Sequence, residues 1–238
     1  MLSCYIDKPI LNGPYCIKTH GSIPIHDFTC DIYKKIKNSF YNIIDDTIKN
    51  QNLINVSDIF GQSIRLAFHD AAEVDITLFF DFMGPDGCLS SDPANNGLVE
   101  STSIVNTIIE PLWQKYCDTL SRADFWVLIG KLAIEKASLP NVISIPYQYG
   151  RFDNRLCPVG GLLSAFYGLS PHSRLPFAQE GLDGTNGILN VFITRMGLTM
   201  NDAGEKDKVC YDDNKLCVFI YFMLIIIYNS IIFTLLYI

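Results

Sequence analysis

From Asp31 onward the chain becomes periodic. Ile32, Ile36, Phe40, Ile43, Ile44 and Ile48 fall on one stripe, with lysines and aspartates on the other side. That spacing predicts an amphipathic helix, with Asp31 as its N-cap. A second helix is predicted from near Ser57 or Asp58, carrying Ile59, Ile64 and Phe68. A third follows Gly97 through Val99, Ile104, Ile108 and Leu112. A fourth runs from Ser121 to Ala137. Its opening Ser121-Arg-Ala-Asp124 approximates a capping box with Asp in place of Glu. Its interior, from Phe125 to Ile134, is apolar nearly all round, which predicts deep burial. Residues 139–187 are rich in Pro and Gly and offer no strand set, and a short helix at Ile188–Met196 ends at Gly197. The sum is an all-α domain with long ordered loops and an apolar C-terminal helix.

That last helix differs from the rest. Leu216–Ile238 is 23 residues without a charge, with Asn229 as its main polar interruption. The length suffices to span a bilayer. The preceding Lys206, Asp207, Lys208, Asp212, Asp213 and Lys215 are mixed in sign and set no orientation. The segment is almost all Ile, Phe, Leu and Tyr, which AT-rich codons favour, so translated non-coding sequence such as a retained intron is the second reading of it. The expected organisation is an irregular N-terminal segment (1–30), a helical domain (31–202), a polar linker (203–215) and a transmembrane helix or non-coding tail (216–238). Met1 to Ile10 contains Asp7, Lys8 and Pro9 and no apolar core, so no secretory signal is read there. The tail, if real, implies a membrane anchor; otherwise the protein is secreted or intracellular.

Composition narrows the classes. The chain has 238 residues, 49% apolar and 18% charged, which is enough for a real core and excludes disorder. The net charge of −7 without a basic patch excludes nucleic acid as a partner. None of the eight cysteines forms a Cys-x-x-Cys pair, so zinc-site spacing is absent; disulfides and buried thiols both remain open. Asn55-Val-Ser57 fits the glycosylation pattern, which matters only in an exported chain.

The candidate chemistry lies in Arg65-Leu-Ala-Phe68-His69-Asp70. Arg65 and His69, four apart, share a helical face. A lone Arg-x-x-x-His is more often a surface arginine and a core histidine. Three neighbours change that weighting. Phe68 would wall a dry pocket. Asn95 could accept the second ring proton of His69 and fix its tautomer. Asp70 points away from His69 and could bind a hard cation, with Gly84, Asp86 and Cys88 of Gly84-Pro-Asp-Gly-Cys88 as the other calcium candidates. Alone, Gly-Pro-Asp-Gly is an ordinary turn.

These motifs resemble the haem peroxidases of the plant, fungal and bacterial superfamily, over roughly Ile32 to Asp202. The resemblance implies haem b as cofactor, hydrogen peroxide as substrate, a small-molecule reductant as partner and a role in the response to oxidative stress. It implies that His69 moves the peroxide proton, that Arg65 stabilises charge as the oxygen–oxygen bond breaks, and that Asn95, in Asn95-Asn-Gly-Leu98, raises the basicity of His69. It also implies a distal calcium site at Asp70, Gly84, Asp86 and Cys88, although a serine is more usual at the last position and a thiol is a poor calcium ligand. Ser121-Arg-Ala-Asp-Phe-Trp126, Gly150-Arg-Phe-Asp153 and Ser173-Arg-Leu-Pro176 extend the likeness and take structural roles. The likeness stops after Met196-Gly-Leu-Thr199. The family continues there into Ser-Gly-x-His, the proximal iron ligand, but here Asn201-Asp-Ala-Gly204 follows and no histidine occurs after His172. The implied alternative is an inactive remnant that keeps only the distal, calcium-binding half, is membrane-tethered where the tail is genuine, binds haem poorly and turns over little peroxide.

Overall fold

The computed structural model describes residues 15–18, 26–50, 53–71, 85–89, 95–140, 145–154 and position 194. Helix α1 spans Cys30–Lys49 and α2 spans Leu53–Ala71. A π turn at Val105–Ile109 runs into the single turn α3, Glu110–Trp113, and α4 spans Arg122–Ala137. Among the described residues there is no extended strand, so the all-α expectation holds. The predicted helix at Ile188–Met196, apart from Thr194, and the apolar 216–238 segment lie outside the described residues. No described helix is long and apolar enough to cross a membrane.

Three boundaries differ from expectation. The N-cap of α1 is Thr29, not Asp31: its backbone is extended and its hydroxyl accepts the Ile32 N–H at 3.3 Å. Asp31 lies inside the first turn, where a negative charge faces the positive end of the helix. Helix α2 starts at Leu53, ahead of Ser57 and Asp58, which are exposed within it. Cap-forming residues are tolerated inside a helix where their side chains stay in water. The third helix is not continuous from Gly97. That glycine has φ +88°, and the chain reaches Ser103 through turns. The π turn then closes with the Glu110 N–H on the Val105 carbonyl, one residue before Pro111, which has no N–H to extend an α ladder.

The stripe of α1 buries Ile36, Phe40 and Ile44 completely, while Ile48 runs off the end at 44% exposed. Helix α4 is buried on all sides from Arg122 to Glu135, as its composition predicts. Its start is capped by Ser121, whose hydroxyl accepts the Asp124 N–H at 3.1 Å. The π turn and α3 bring Trp113 against this layer. A disulfide between Cys16 and Cys117 ties the N-terminal segment to the turn after α3, supported by Lys18 on Asp118 at 3.0 Å. Cys88 is also disulfide-bonded, and Cys30 is free and exposed. Of the four described cysteines, three are therefore disulfide-bonded.

Helices α2 and α4 cross at Gly130. A Cβ built there would lie 2.7 Å from the Ala67 Cβ, far inside contact distance and attached to rigid backbone. Gly130→Ala is therefore expected to cost about 1–3 kcal/mol in urea denaturation despite the better helix propensity of alanine. Adding Ala67→Gly should recover part of that loss; an unchanged midpoint in the single variant would contradict the close crossing.

Candidate active site

One face of α2 carries Gln62, Arg65 and His69, spaced so that each lies above the last. All three grip the segment 95–104. The Gln62 Oε1 accepts the Ile104 N–H at 2.8 Å. Arg65 Nη1 donates to the Asn96 carbonyl at 2.7 Å. His69 Nδ1 and Asn95 Oδ1 are 2.7 Å apart. Arg65 Nε also donates to His69 Nε2 at 3.2 Å. A ring nitrogen that accepts carries no proton, so the proton is on Nδ1 and is donated to Asn95.

His69 and Asn95 are buried, and Phe68, also buried, sets its ring edge-on to the imidazole with centroids 5.8 Å apart. The sequence-predicted Arg65, Phe68, His69 and Asn95 therefore converge. Burial lowers the pKa of the Arg65 guanidinium, and the neighbouring Glu100 carboxylate opposes that drop. Gln62, the Asn96 carbonyl and Glu100 were not singled out from the sequence. Gln62 had one signal, its position one turn before Arg65 on the same face; a backbone carbonyl has none.

Behind the imidazole, Asp70 is fully buried and turns the other way. Its Oδ2 accepts the Gly87 N–H at 3.1 Å and its Oδ1 accepts the Cys88 N–H at 3.2 Å. Asp86 Oδ1 accepts the Cys88 N–H at 3.0 Å. Only glycine fits position 87: φ is +70°, and a Cβ would stand 2.7 Å from the Ala123 nitrogen. This clasp sits against the start of α4, where Asp153 accepts the Arg122 and Ala123 N–H groups at 3.0 and 2.8 Å. Asp124 in turn binds the Gly150 and Arg151 N–H groups and the Arg151 guanidinium. Arg122 lies over the Trp126 ring and pairs with Glu110 at 3.0 Å. The two outlying motifs around Ser121 and Gly150 thus dock onto each other, whereas Ser173-Arg-Leu-Pro176 is outside the described residues.

Of the calcium candidates, Gly84 is outside the described residues. Asp70 and Asp86 meet at the loop; both Asp70 oxygens and Asp86 Oδ1 accept amide hydrogens, whereas Asp86 Oδ2 is buried with no hydrogen-bond partner, and the sulfur of Cys88 is in a disulfide. Among the described residues no three His, Cys, Asp or Glu side chains gather as a metal site. A hard cation needs several free oxygens. The described residues do not form that cradle by themselves, and no step below passes through calcium.

Comparison with known proteins identifies the family. The model of the family described as Peroxidase matches residues 40–203, well over half of the chain. The chain belongs to the peroxidase family. It is 33% identical over 127 residues to a "Putative heme-binding peroxidase" of Candida albicans, covering 50% of this chain and 40% of that protein. A protein of the same description from Debaryomyces hansenii is 30% identical over 132 residues, covering 50% of this chain and 28% of its own length. L-ascorbate peroxidase 1, cytosolic, of Oryza sativa subsp. indica is 31% identical over 144 residues, covering 58% of this chain and 48% of that protein. The chain thus spans under half the length of these relatives.

Burial raises the pKa of Asp70 well above the ordinary carboxyl value, with the charge of Asp86 next in weight, and burial lifts both Asp86 and Asp153 to about 7. A carboxyl whose folded pKa is raised holds more protons folded than unfolded, so its contribution is full below about pH 4 and fades as pH rises toward 7. The melting temperature is therefore expected to fall between about pH 4, the free-carboxyl reference, and about pH 7. Asp86→Asn, neutral and nearly isosteric, should flatten that fall; circular dichroism melts that stay parallel to the wild type would contradict the assignment.

Proposed function

We propose that the chain acts as a haem peroxidase, with Arg65, His69 and Asn95 as the groups on the peroxide side of the cofactor and hydrogen peroxide and a small-molecule reductant as substrates. The observation that carries this reading is the hydrogen-bonded row Arg65–His69–Asn95, which leaves the imidazole lone pair on Nε2. On that side the residues fit a haem: a neutral base, a fixed cation and an amide that sets the tautomer. When bound, haem would supply the electrons that reduce peroxide and would regain them from the small-molecule reductant.

The chain's own residues divide the remaining work. His69 Nε2 takes a proton from one peroxide oxygen and gives it to the other, which departs as water. The Asn95 amide oxygen holds Nδ1–H throughout, so the proton gained at Nε2 leaves by the same atom. Arg65 Nε occupies Nε2 in the resting arrangement. One lone pair cannot serve two donors, so Arg65 gives way when peroxide enters and its guanidinium then faces the leaving oxygen. The Asn96 carbonyl keeps the other end of the guanidinium in place during that change.

A second reading is an inactive helical remnant. It is favoured by the lack of any histidine after His172, the region where the family places its iron ligand. The one other histidine among the described residues, His26, is exposed, with its amide on the Asp118 carbonyl.

Titrating the full chain with hemin separates the two. The peroxidase reading expects a sharp Soret band that shifts with peroxide, slowed by about 10²–10⁴ in His69→Ala and by about 10²–10³ in Arg65→Ala. Asn95→Ala should cost on the order of tenfold, as loss of an imidazole-orienting partner. Absence of hemin binding supports the remnant; a wild-type response in His69→Ala overturns the role given to that residue.

A further inference from the structure

The Asn95–Gly97 turn contacts both reacting side chains at once: Asn95 Oδ1 holds the imidazole and the Asn96 carbonyl holds the guanidinium. What holds the turn is less obvious. Its last residue, Gly97, has φ +88°, a conformation with no side chain to lock it. The turn is closed by the Leu98 N–H on the Asn95 carbonyl at 3.0 Å, and Leu98 is fully buried. The Gly97 N–H, however, points to the side chain of Glu100, whose Oε2 accepts it at 2.6 Å. The Glu100 backbone is itself fixed. Its carbonyl accepts the Ser103 N–H at 2.9 Å and the Asn106 side-chain amide at 3.0 Å. A rigid backbone therefore sends one carboxylate back across a mobile type of residue. The backbone at Gly97 also comes tight against the cation: a Cβ there would lie 3.2 Å from Arg65 Nη1.

Resting on the peroxidase reading above, we infer that Glu100 is a positioning residue: its carboxylate latches the Gly97 amide, so that one turn presents Asn95 to His69 and the Asn96 carbonyl to Arg65. As an exposed carboxylate it adds little to stability, since water competes for it. Its weight lies in geometry, where small displacements of a base or cation carry large kinetic costs. A charge-assisted hydrogen bond to a backbone amide is the strong kind that can hold such a turn. The carboxylate also opposes the burial that lowers the pKa of Arg65. The acceptor role and the charge role are separable, because glutamine keeps the first and loses the second.

The test reads the imidazole directly, without hemin. Nitrogen-15 histidine spectra of the full chain distinguish the two neutral tautomers, and His69 is assigned by its disappearance in His69→Ala. The wild type is expected to be dominated by the Nδ1–H form. Glu100→Ala should raise the Nε2–H fraction by about threefold or more, the order expected for loss of one hydrogen bond, while Glu100→Gln, which keeps an acceptor but not the charge, moves less. An unchanged tautomer in Glu100→Ala overturns the inference, and so does a Glu100→Gln spectrum that moves as far as Glu100→Ala. If Glu100→Ala does not fold, amide exchange decides. The Gly97 N–H should be protected by about tenfold or more in the wild type and in Glu100→Gln, as a hydrogen-bonded amide is; exchange at the open-chain rate overturns the latch. A hemin response intact with no tautomer change sinks Glu100 alone, and a lost hemin response with the tautomer change present sinks only the peroxidase reading.

Discussion

The hydrogen bond between His69 Nδ1 and Asn95 Oδ1 is the contact on which the site depends. At 2.7 Å and out of water, it fixes which ring nitrogen bears the proton and therefore which one is basic. Everything nearby follows from that choice. Arg65 can donate to Nε2 only because Nε2 has a lone pair. The pair then forms a neutral base beside a permanent cation, a combination that neither residue offers alone. The partner of His69 lies 26 residues on in sequence, so the fold must deliver it. It does so through three side chains of α2 that grip one segment at three heights.

The scaffold beneath the site is a single close helix crossing with a clasp at one end. Gly130 lets α4 approach α2 to a distance that any side chain would prevent. At the same end, Gly87 lets the loop after α2 lie against the first turn of α4. Asp70 follows His69 in sequence and faces the opposite way, so its grip on the Gly87 and Cys88 amides fixes the rotation of α2 about its own axis. The face that carries Arg65 and His69 is thus aimed from behind. Buried carboxyls do this work at an electrostatic cost, which shows in their raised pKa values.

Much of this was legible in the sequence, for identifiable reasons. The stripe of α1 and the all-round apolarity of α4 are periodic signals, and periodicity survives without tertiary knowledge. Arg65, His69, Phe68 and Asn95 were readable because a helix places i and i+4 together and because their order matches the peroxidases. The errors have causes as well. Thr29 outcompeted Asp31 as a cap because an extended backbone, invisible in the sequence, lets its hydroxyl reach back. The helix expected after Gly97 broke at a glycine with positive φ and again at a π turn before Pro111. Glu100 and the Asn96 carbonyl escaped notice because one acts through backbone and the other is backbone, and residue type carries no mark of either. The meeting of Asp70 with the Asp86 loop was legible from the position of Asp70 just after His69 and from the resemblance; that three of their oxygens accept amide hydrogens while Asp86 Oδ2 stays unpartnered is geometry that no spacing rule foretells.

The central claim is that His69 Nε2 is the proton acceptor of a peroxide reaction. The most direct measurement is the pH profile of the rate at which the hemin-loaded full chain reacts with hydrogen peroxide, wild type against His69→Gln. The account predicts a wild-type rate that climbs with pH through one ionisation and levels off, and a low, flat profile in His69→Gln. Two profiles of the same shape and height would contradict it.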